Sequence, residues 1–340
     1  MTPSKRNHDF RVAQKGKKDE FYTPIEIIEA ELTNYCDYFI GKSVYLNCDD
    51  PHQSNFFRYF FDAFTQLGLK KLTASCYAGR AGSSDSRGLV LEYDGTEDLS
   101  FDEALSTARS LQGDGDFRSE ECIGILKDSD VVVTNPPFSL FREFITQLRD
   151  HGVDFLVLGN MNAVTYAEVF ELFQAGKMWY GQSIRSGDRE FGVPDDYPLN
   201  AAGTRVAADG KRFIRVKGVR WFTNLKYPEY RRRVELTNEY SPEHFPKYAN
   251  YDAVEVGRIA DIPADYFGPM GVPITILDRY DPQQFEILGS SRTLSRPMAE
   301  VAEKGSFQSG GPRFYLKRPD GTFRRMYDRI VIRRRDLKDN

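Results

Sequence analysis

The sequence is poor in what metal enzymes and secreted proteins use. Only four cysteines occur, Cys36, Cys48, Cys76 and Cys122, none in a Cys-x-x-Cys pair, and there are only four histidines. That argues against a zinc site, and free cysteines without a disulfide pattern point to a reducing compartment. No apolar run approaches the roughly 20 residues that cross a bilayer. The N-terminus is polar and charged, unlike a secretory signal. A soluble, cytoplasmic protein with no membrane partner and no metal is expected. No Gly-x-Gly-x-x-Gly follows the first strand, which counts against a nicotinamide-dependent Rossmann enzyme. Internal repeats and low-complexity tracts are also missing.

What is present suits a globular protein of one large and one smaller domain. The 340 residues are 40% hydrophobic, 28% charged and 14% aromatic, with 25 Phe and 19 Tyr. The net charge of −4 does not announce a nucleic-acid partner, but its distribution is uneven. Residues 1–18 form a polar, basic tail. Residues 211–233 hold nine cations against one acid, Glu229. The arginines 324, 325, 329 and 333–335 make a second basic stretch. An acidic protein with basic stretches can meet a polyanion through one face.

Strand and helix patterns alternate through the first half. Val44 to Cys48 reads as a buried strand and Asp49-Asp50-Pro51 ends it. Helical spacing covers 54–66. Strands are expected at 70–76 and 88–93, the latter in a hairpin. Ser119 caps a helix to about Lys127, and Asp130 to Thr134 is a β-branched strand. A helix at 140–149, a strand at 155–159 and a helix at 164–174 follow. This alternation predicts a parallel sheet covered on both faces. After about residue 180 turns dominate, with strand-like runs at 212–216 and 219–223. The expected organisation is a mobile tail (1–18), a catalytic domain (19–200), and sheet-completing strands with a recognition region (201–340).

Asn135-Pro136-Pro137-Phe138 carries the sharpest chemical signal. It directly follows a buried strand, where open α/β sheets place their ligand crevices. Two prolines remove two N–H donors and stiffen the turn, and the first pushes Asn135 towards extended geometry. Carbonyls are thereby left to accept hydrogen bonds. The adenine amino nitrogen N6 is a poor nucleophile because its lone pair is delocalised into the ring. The Asn135 side-chain oxygen and the Pro136 carbonyl are two acceptors for its two hydrogens. That arrangement favours a tetrahedral nitrogen through positioning and electrostatics. Phe138 offers a flat face to a base taken out of the stack.

These stretches, together with Tyr45-Leu46-Asn47-Cys48-Asp49-Asp50, Gly113-Asp114-Gly115-Asp116-Phe117 and Trp221 to Leu225, resemble the EcoRI-type adenine-specific DNA methyltransferases over most of the chain. The resemblance implies an α/β, Rossmann-like S-adenosylmethionine-dependent methyltransferase fold with a C-terminal DNA-recognition region. It implies S-adenosylmethionine as cofactor and double-stranded DNA as partner. It also implies a monomer, either linked genetically to a restriction endonuclease without binding it or acting as an orphan methylase. By the same resemblance, Tyr22 and Thr23 contact the methionine end of the cofactor. The glycine-free loop of Asn47, Cys48, Asp49 and Asp50 supplies a carboxylate for the ammonium. Cys76 stands where relatives of the wider class place an acid for the ribose. Asp116, with Asp114 as its competitor, takes the adenine amino group, and Phe117 takes its face. Asn135 also borders the cofactor. Arg215, Lys217, Arg220, Arg231, Arg232 and Arg233 are the cations expected to face DNA, interleaved with aromatics in a hairpin.

Overall fold

A computed structural model describes residues 21–78, 86–194, 197, 203–228, 230 and 233–335. The basic tail, Arg231 and Arg232 lie outside the described residues. The chain divides into two compact units. The first takes the described residues up to Val169 together with Tyr180–Pro228, and the second takes Phe170–Trp179 and the chain beyond 229.

An eight-stranded sheet with the order β4-β3-β2-β1-β5-β6-β11-β7 dominates the first unit. Its strands are β1 (Ser43–Asn47), β2 (Lys71–Cys76), β3 (Leu89–Tyr93), β4 (Arg109–Ser110), β5 (Val131–Thr134), β6 (Asp154–Asn160), β7 (Trp179–Tyr180) and β11 (Val219–Thr223). The four central strands β2, β1, β5 and β6 run parallel. Strands β3 and β11 join antiparallel on either side. Every residue of β1, β5 and β11 is buried. Such strands read as continuous apolar runs because both sheet faces are covered.

The connecting helices have readable starts. Helix α1 (Ile25–Leu32) opens after Pro24. Ser54 caps α2 (Asn55–Asp62) by accepting from the Phe56 amide. A Ser100–Glu103 capping box begins α3 (Phe101–Ser106), and Ser119 caps α4 (Glu120–Lys127). Helix α5 (Phe141–His151) ends at Gly152 in the left-handed conformation, the usual helix stop.

The chain leaves β1 for β2 on one side, and β5 lies on the other side of β1. The carboxyl ends of β1 and β5 therefore flank a topological switch point, where doubly wound sheets bind ligands. There the Thr134 hydroxyl donates to the Asn47 carbonyl at 2.5 Å.

A three-stranded antiparallel sheet, β8-β10-β9, completes the unit, with β8 at Arg189–Val193, β9 at Thr204–Val206 and β10 at Arg212–Val216. The runs 212–216 and 219–223 are thus both strands, but they do not pair with each other. The second is wholly buried and joins the large sheet. The first has Ile214 buried and Arg215 exposed, which suits a smaller sheet with one wet face.

The second unit is built on a four-stranded sheet, β12-β13-β17-β14, and a hairpin, β15-β16. Its strands are β12 (Val254–Glu255), β13 (Met270–Pro273), β14 (Phe285–Ser290), β15 (Tyr315–Lys317), β16 (Phe323–Arg325) and β17 (Arg329–Arg334). Tyr248, Phe314, Leu316, Met326 and Val331 form one apolar cluster in it. Some of the C-terminal arginines pair with acids of their own unit. Arg329 is buried against Glu255 at 2.7 Å, and Arg333 meets Glu286 at 2.7 Å. Among the described residues, no helix is long and apolar enough to cross a membrane.

Candidate active site

One cleft in the first unit is lined by Phe21, Tyr22, Thr23, Cys48, Asp49, Asp50 and Asn135, with Ser54 and Phe56 behind them. Three chain segments build it. The loop after β1 turns through Cys48 at φ 65°, the one described non-glycine residue with positive φ. Other folds place glycine at such a turn; here a cysteine holds it. The Asp49 amide donates to the Ser75 carbonyl at 2.8 Å, which ties this loop to the end of β2. The Asp49 carboxylate accepts from the Ser54 hydroxyl, and Asp50 Oδ1 accepts from the His52 amide at 3.0 Å. Both carboxylates are about 95% buried. Asn47, at the strand end, is buried too, and its Nδ2 has no hydrogen-bond partner.

The second segment is residues 21–23. Tyr22 pairs with Gly192 of β8 through two backbone hydrogen bonds, 2.8 and 2.9 Å long. The Asn55 amide nitrogen of α2 donates to the Thr23 carbonyl at 2.7 Å. Thr23 itself is buried, and the residue that caps α1 is Pro24. The Thr23 hydroxyl is therefore not used as a helix cap.

The third segment is the Asn-Pro-Pro-Phe turn after β5. Asn135 Nδ2 donates to the Phe21 carbonyl at 2.9 Å and to Thr23 Oγ1 at 3.3 Å. A carbonyl can only accept, so the Phe21 contact fixes which end of the amide is nitrogen. Asn135 Oδ1 is consequently turned away from these partners, buried and without a hydrogen-bond partner. An orphaned buried acceptor is costly and uncommon in a native fold. Phe138 is half-buried and meets the Phe21 ring edge-on at 5.6 Å, and Phe21 in turn lies 6.0 Å from Phe191.

Gly113 to Phe117 packs at the end of β2 rather than lining this cleft. The Ala78 amide donates to the Asp114 carbonyl at 2.8 Å. Gly115 has φ 79°, and a Cβ there would stand 2.3 Å from the Cys76 carbonyl oxygen. Only glycine permits that approach. Asp114 is exposed, and its Oδ1 accepts from the Asp116 amide at 3.0 Å. Asp116 is gripped by Arg118 through both oxygens, at 2.9 and 2.6 Å. The guanidinium holds the Asp116 carboxyl below the usual carboxylate range. Phe117 is buried and meets Phe144 of α5 edge-on at 5.2 Å. Cys76 is fully buried.

The expected DNA-facing cations do not form one set. Arg215 and Lys217 are exposed on or beside β10. Arg220 is only 3% exposed. Its guanidinium donates to the Val219 carbonyl at 2.9 Å and to the Arg185 carbonyl. Arg233 belongs to the second unit and lies 3.6 Å from Asp281. Sequence reasoning did not single out Phe21, Ser54, Asn55, Gly192 or Arg118. Ser54 and Asn55 had a local signal, as a cap directly before an aromatic run. Gly192 had none.

A parallel-centred α/β sheet with this turn over a cleft at its switch point is the arrangement of Rossmann-like methyltransferases. Type II methyltransferase M.EcoRI of Escherichia coli is 45% identical over 297 residues, covering 85% of this chain and 90% of the relative. Type II methyltransferase M.MpnI of Mycoplasma pneumoniae is 38% identical over 340 residues, covering 96% of this chain and 98% of the relative. A third relative, Type II methyltransferase M.MgeORF184P of Mycoplasma genitalium, is 39% identical over 285 residues, covering 83% of this chain and 86% of the relative. No solved structure matches the chain. The chain belongs to the family described as adenine-specific methyltransferase EcoRI, whose profile matches residues 9–335. It is an adenine-specific methyltransferase and uses a methyl donor.

Proposed function

We propose that this enzyme transfers the methyl group of S-adenosylmethionine to N6 of adenine at a specific site in duplex DNA. The observation that carries the reading is the buried, unpartnered Oδ1 of Asn135 at the end of β5. An amino group donating to Oδ1 and to the Pro136 carbonyl would be held with its lone pair outward. Among the described residues, no backbone amide donates to that carbonyl. The stiff turn supplies both acceptors without reorganisation. Adenine N6 lies within the base stack, so the target nucleotide must flip out to reach them. Phe138 then offers its ring to the base.

The cleft suits the amino-acid end of S-adenosylmethionine. The buried carboxylates of Asp49 and Asp50 match an ammonium, while the Thr23 hydroxyl and the orphaned Asn47 Nδ2 match a carboxylate. When bound, the cofactor supplies an electrophilic methyl group. Asp114 and Asp116 both stand near the β2 end for its adenine. Arg118 already engages both oxygens of Asp116, so we favour Asp114 as acceptor. Arg215 and Lys217 are assigned to phosphates, and sequence recognition to the chain beyond residue 201. Arg220 is left out of that set because its guanidinium is internal. The fitting cellular role is the modification partner of a type II restriction system, acting as a cytoplasmic monomer.

The test incubates the full chain with labelled S-adenosylmethionine and duplex DNA, then digests the DNA and identifies the nucleoside. N6-methyl-2′-deoxyadenosine label, with a fluorescence rise when 2-aminopurine replaces the target, is expected. Label on protein or on cytosine would refute the proposal.

A further inference from the structure

Tyr327 is 87% exposed, more than any other large hydrophobic side chain among the described residues. It sits in the three-residue connector between β16 and β17. The connector is anchored on both sides. Met326 is buried in the second unit's apolar cluster, and its amide donates to the Phe314 carbonyl at 2.9 Å. Asp328 is held by Arg292 at 3.1 Å and by Arg313 at 2.9 Å. Arg329, next in the chain, is locked to Glu255. A large ring carried on so fixed a base, yet turned to solvent, contributes nothing to packing. Covering it costs little entropy, because its two χ angles are all that remain to be fixed.

The surroundings indicate what covers it. Residues 313–335 contain nine Lys or Arg and two Asp. Arg313, Arg329 and Arg333 pair with acids of the second unit, whereas Lys317, Arg318 and Arg324 of the β15–β16 hairpin are exposed. Cations that neutralise phosphates beside an aromatic face that stacks on a base are the two components of a nucleic-acid surface. A protein partner would have to bring its own acids, whereas the substrate proposed above is already a polyanion.

We infer that Tyr327 is a stacking residue of the DNA interface. Its ring packs on a base face opened where the bound duplex is distorted, while Lys317, Arg318 and Arg324 hold the flanking phosphates. This rests on duplex DNA being the substrate.

The experiment compares wild type, Tyr327→Ala and Tyr327→Phe in binding and methylation of duplex across a salt series. Wild-type protein that neither binds nor methylates duplex refutes the DNA reading itself, and this inference with it. Given wild-type activity, Tyr327→Ala should raise Kd by about tenfold, within the span of one lost base–aromatic stack, and Tyr327→Phe by less than about twofold. The salt slope should stay unchanged, because no cation is removed. Melting temperatures should agree, since the ring packs on nothing. If Tyr327→Ala binds and methylates duplex like wild type, the proposal is overturned and the ring faces some other partner. If Tyr327→Phe is as weak as Tyr327→Ala, the hydroxyl rather than the ring matters, and stacking is wrong.

Discussion

Asn135→Ala removes two things at once: an amide nitrogen that ties down residues 21–23 and an oxygen assigned to the target amino group. The two losses have different sizes and different readouts. Without Nδ2, the Phe21 carbonyl loses its donor at 2.9 Å and Thr23 Oγ1 its donor at 3.3 Å. An unsatisfied buried group costs roughly 1–3 kcal/mol, visible as a lower melting temperature. Without Oδ1, one acceptor for the transition state disappears, which costs about 2.7–4 kcal/mol, or roughly a hundredfold to a thousandfold in kcat. Asn55→Ala is the matched control. It removes the 2.7 Å bond to the Thr23 carbonyl, so it loosens the same segment without touching Oδ1. Single-turnover methyl transfer and thermal melting on both variants separate the roles. Similar losses of stability are expected, with at least about a tenfold further loss of turnover in Asn135→Ala. If both variants lose turnover equally, Asn135 is a strut, and the acceptor must be sought elsewhere in the turn.

Four further predictions follow the geometry. Asp114→Ala should weaken S-adenosylmethionine binding in titration calorimetry more than Asp116→Ala does, and the reverse order would move the adenine contact to Asp116. Because Arg118 lowers the Asp116 pKa, the stability this pair adds is present above the unfolded value, about 3.9, and fades as pH falls through the lower folded value. Asp116→Asn should therefore lower the melting temperature at neutral pH and lose that deficit as the pH falls through the acid range, and a deficit that grows in acid would contradict the sign. Gly115→Ala forces a Cβ to within 2.3 Å of the Cys76 carbonyl at φ 79°, so the turn must move and cofactor affinity should drop sharply; calorimetric affinity equal to wild type would show that the turn plays no part in binding. Reversing Arg215 and Lys217 to Glu should weaken binding to cognate and scrambled duplex alike and reduce the salt slope by about two counterions, while an unchanged slope would make β10 a solvated edge.

Much of the scaffold was legible because the physics is local. Apolar runs bounded by turn residues announced β1, β2, β5 and β6, helical spacing announced α2, and Ser119 before apolar periodicity announced the start of α4. The parallel order followed from alternation. What escaped depended on partners far away in sequence. The orientation of the Asn135 amide is decided by the carbonyl of Phe21, 114 residues earlier. Arg220 looked like its basic neighbours, yet it lies within an apolar run between Val219 and Trp221, and a strand covered on both faces turns even a cation inward. Arg118 stands two residues from Asp116, the cofactor aspartate that the motif favours, and nothing local showed that it would occupy both oxygens. The glycine-free loop concealed that a cysteine takes the left-handed turn.

The pairing of Tyr22 with Gly192 gives the enzyme an order of assembly. A chain emerging from the ribosome has the four parallel strands of the large sheet, and the Asn-Pro-Pro-Phe turn, before Gly192 appears. Until then residues 21–23 lack the β8 backbone that aligns them. Fragments that stop short of β8 would carry the whole catalytic motif beside a wall held by Asn55 and Asn135 but not aligned by a strand. Contacts of such long sequence separation close slowly, so residues 21–23 should align fully only after β8 has been made. The same two hydrogen bonds offer a point of control to the engineer. A version split between residues 24 and 188 would regain methylation only when its halves reassociate, and activity would then report their proximity.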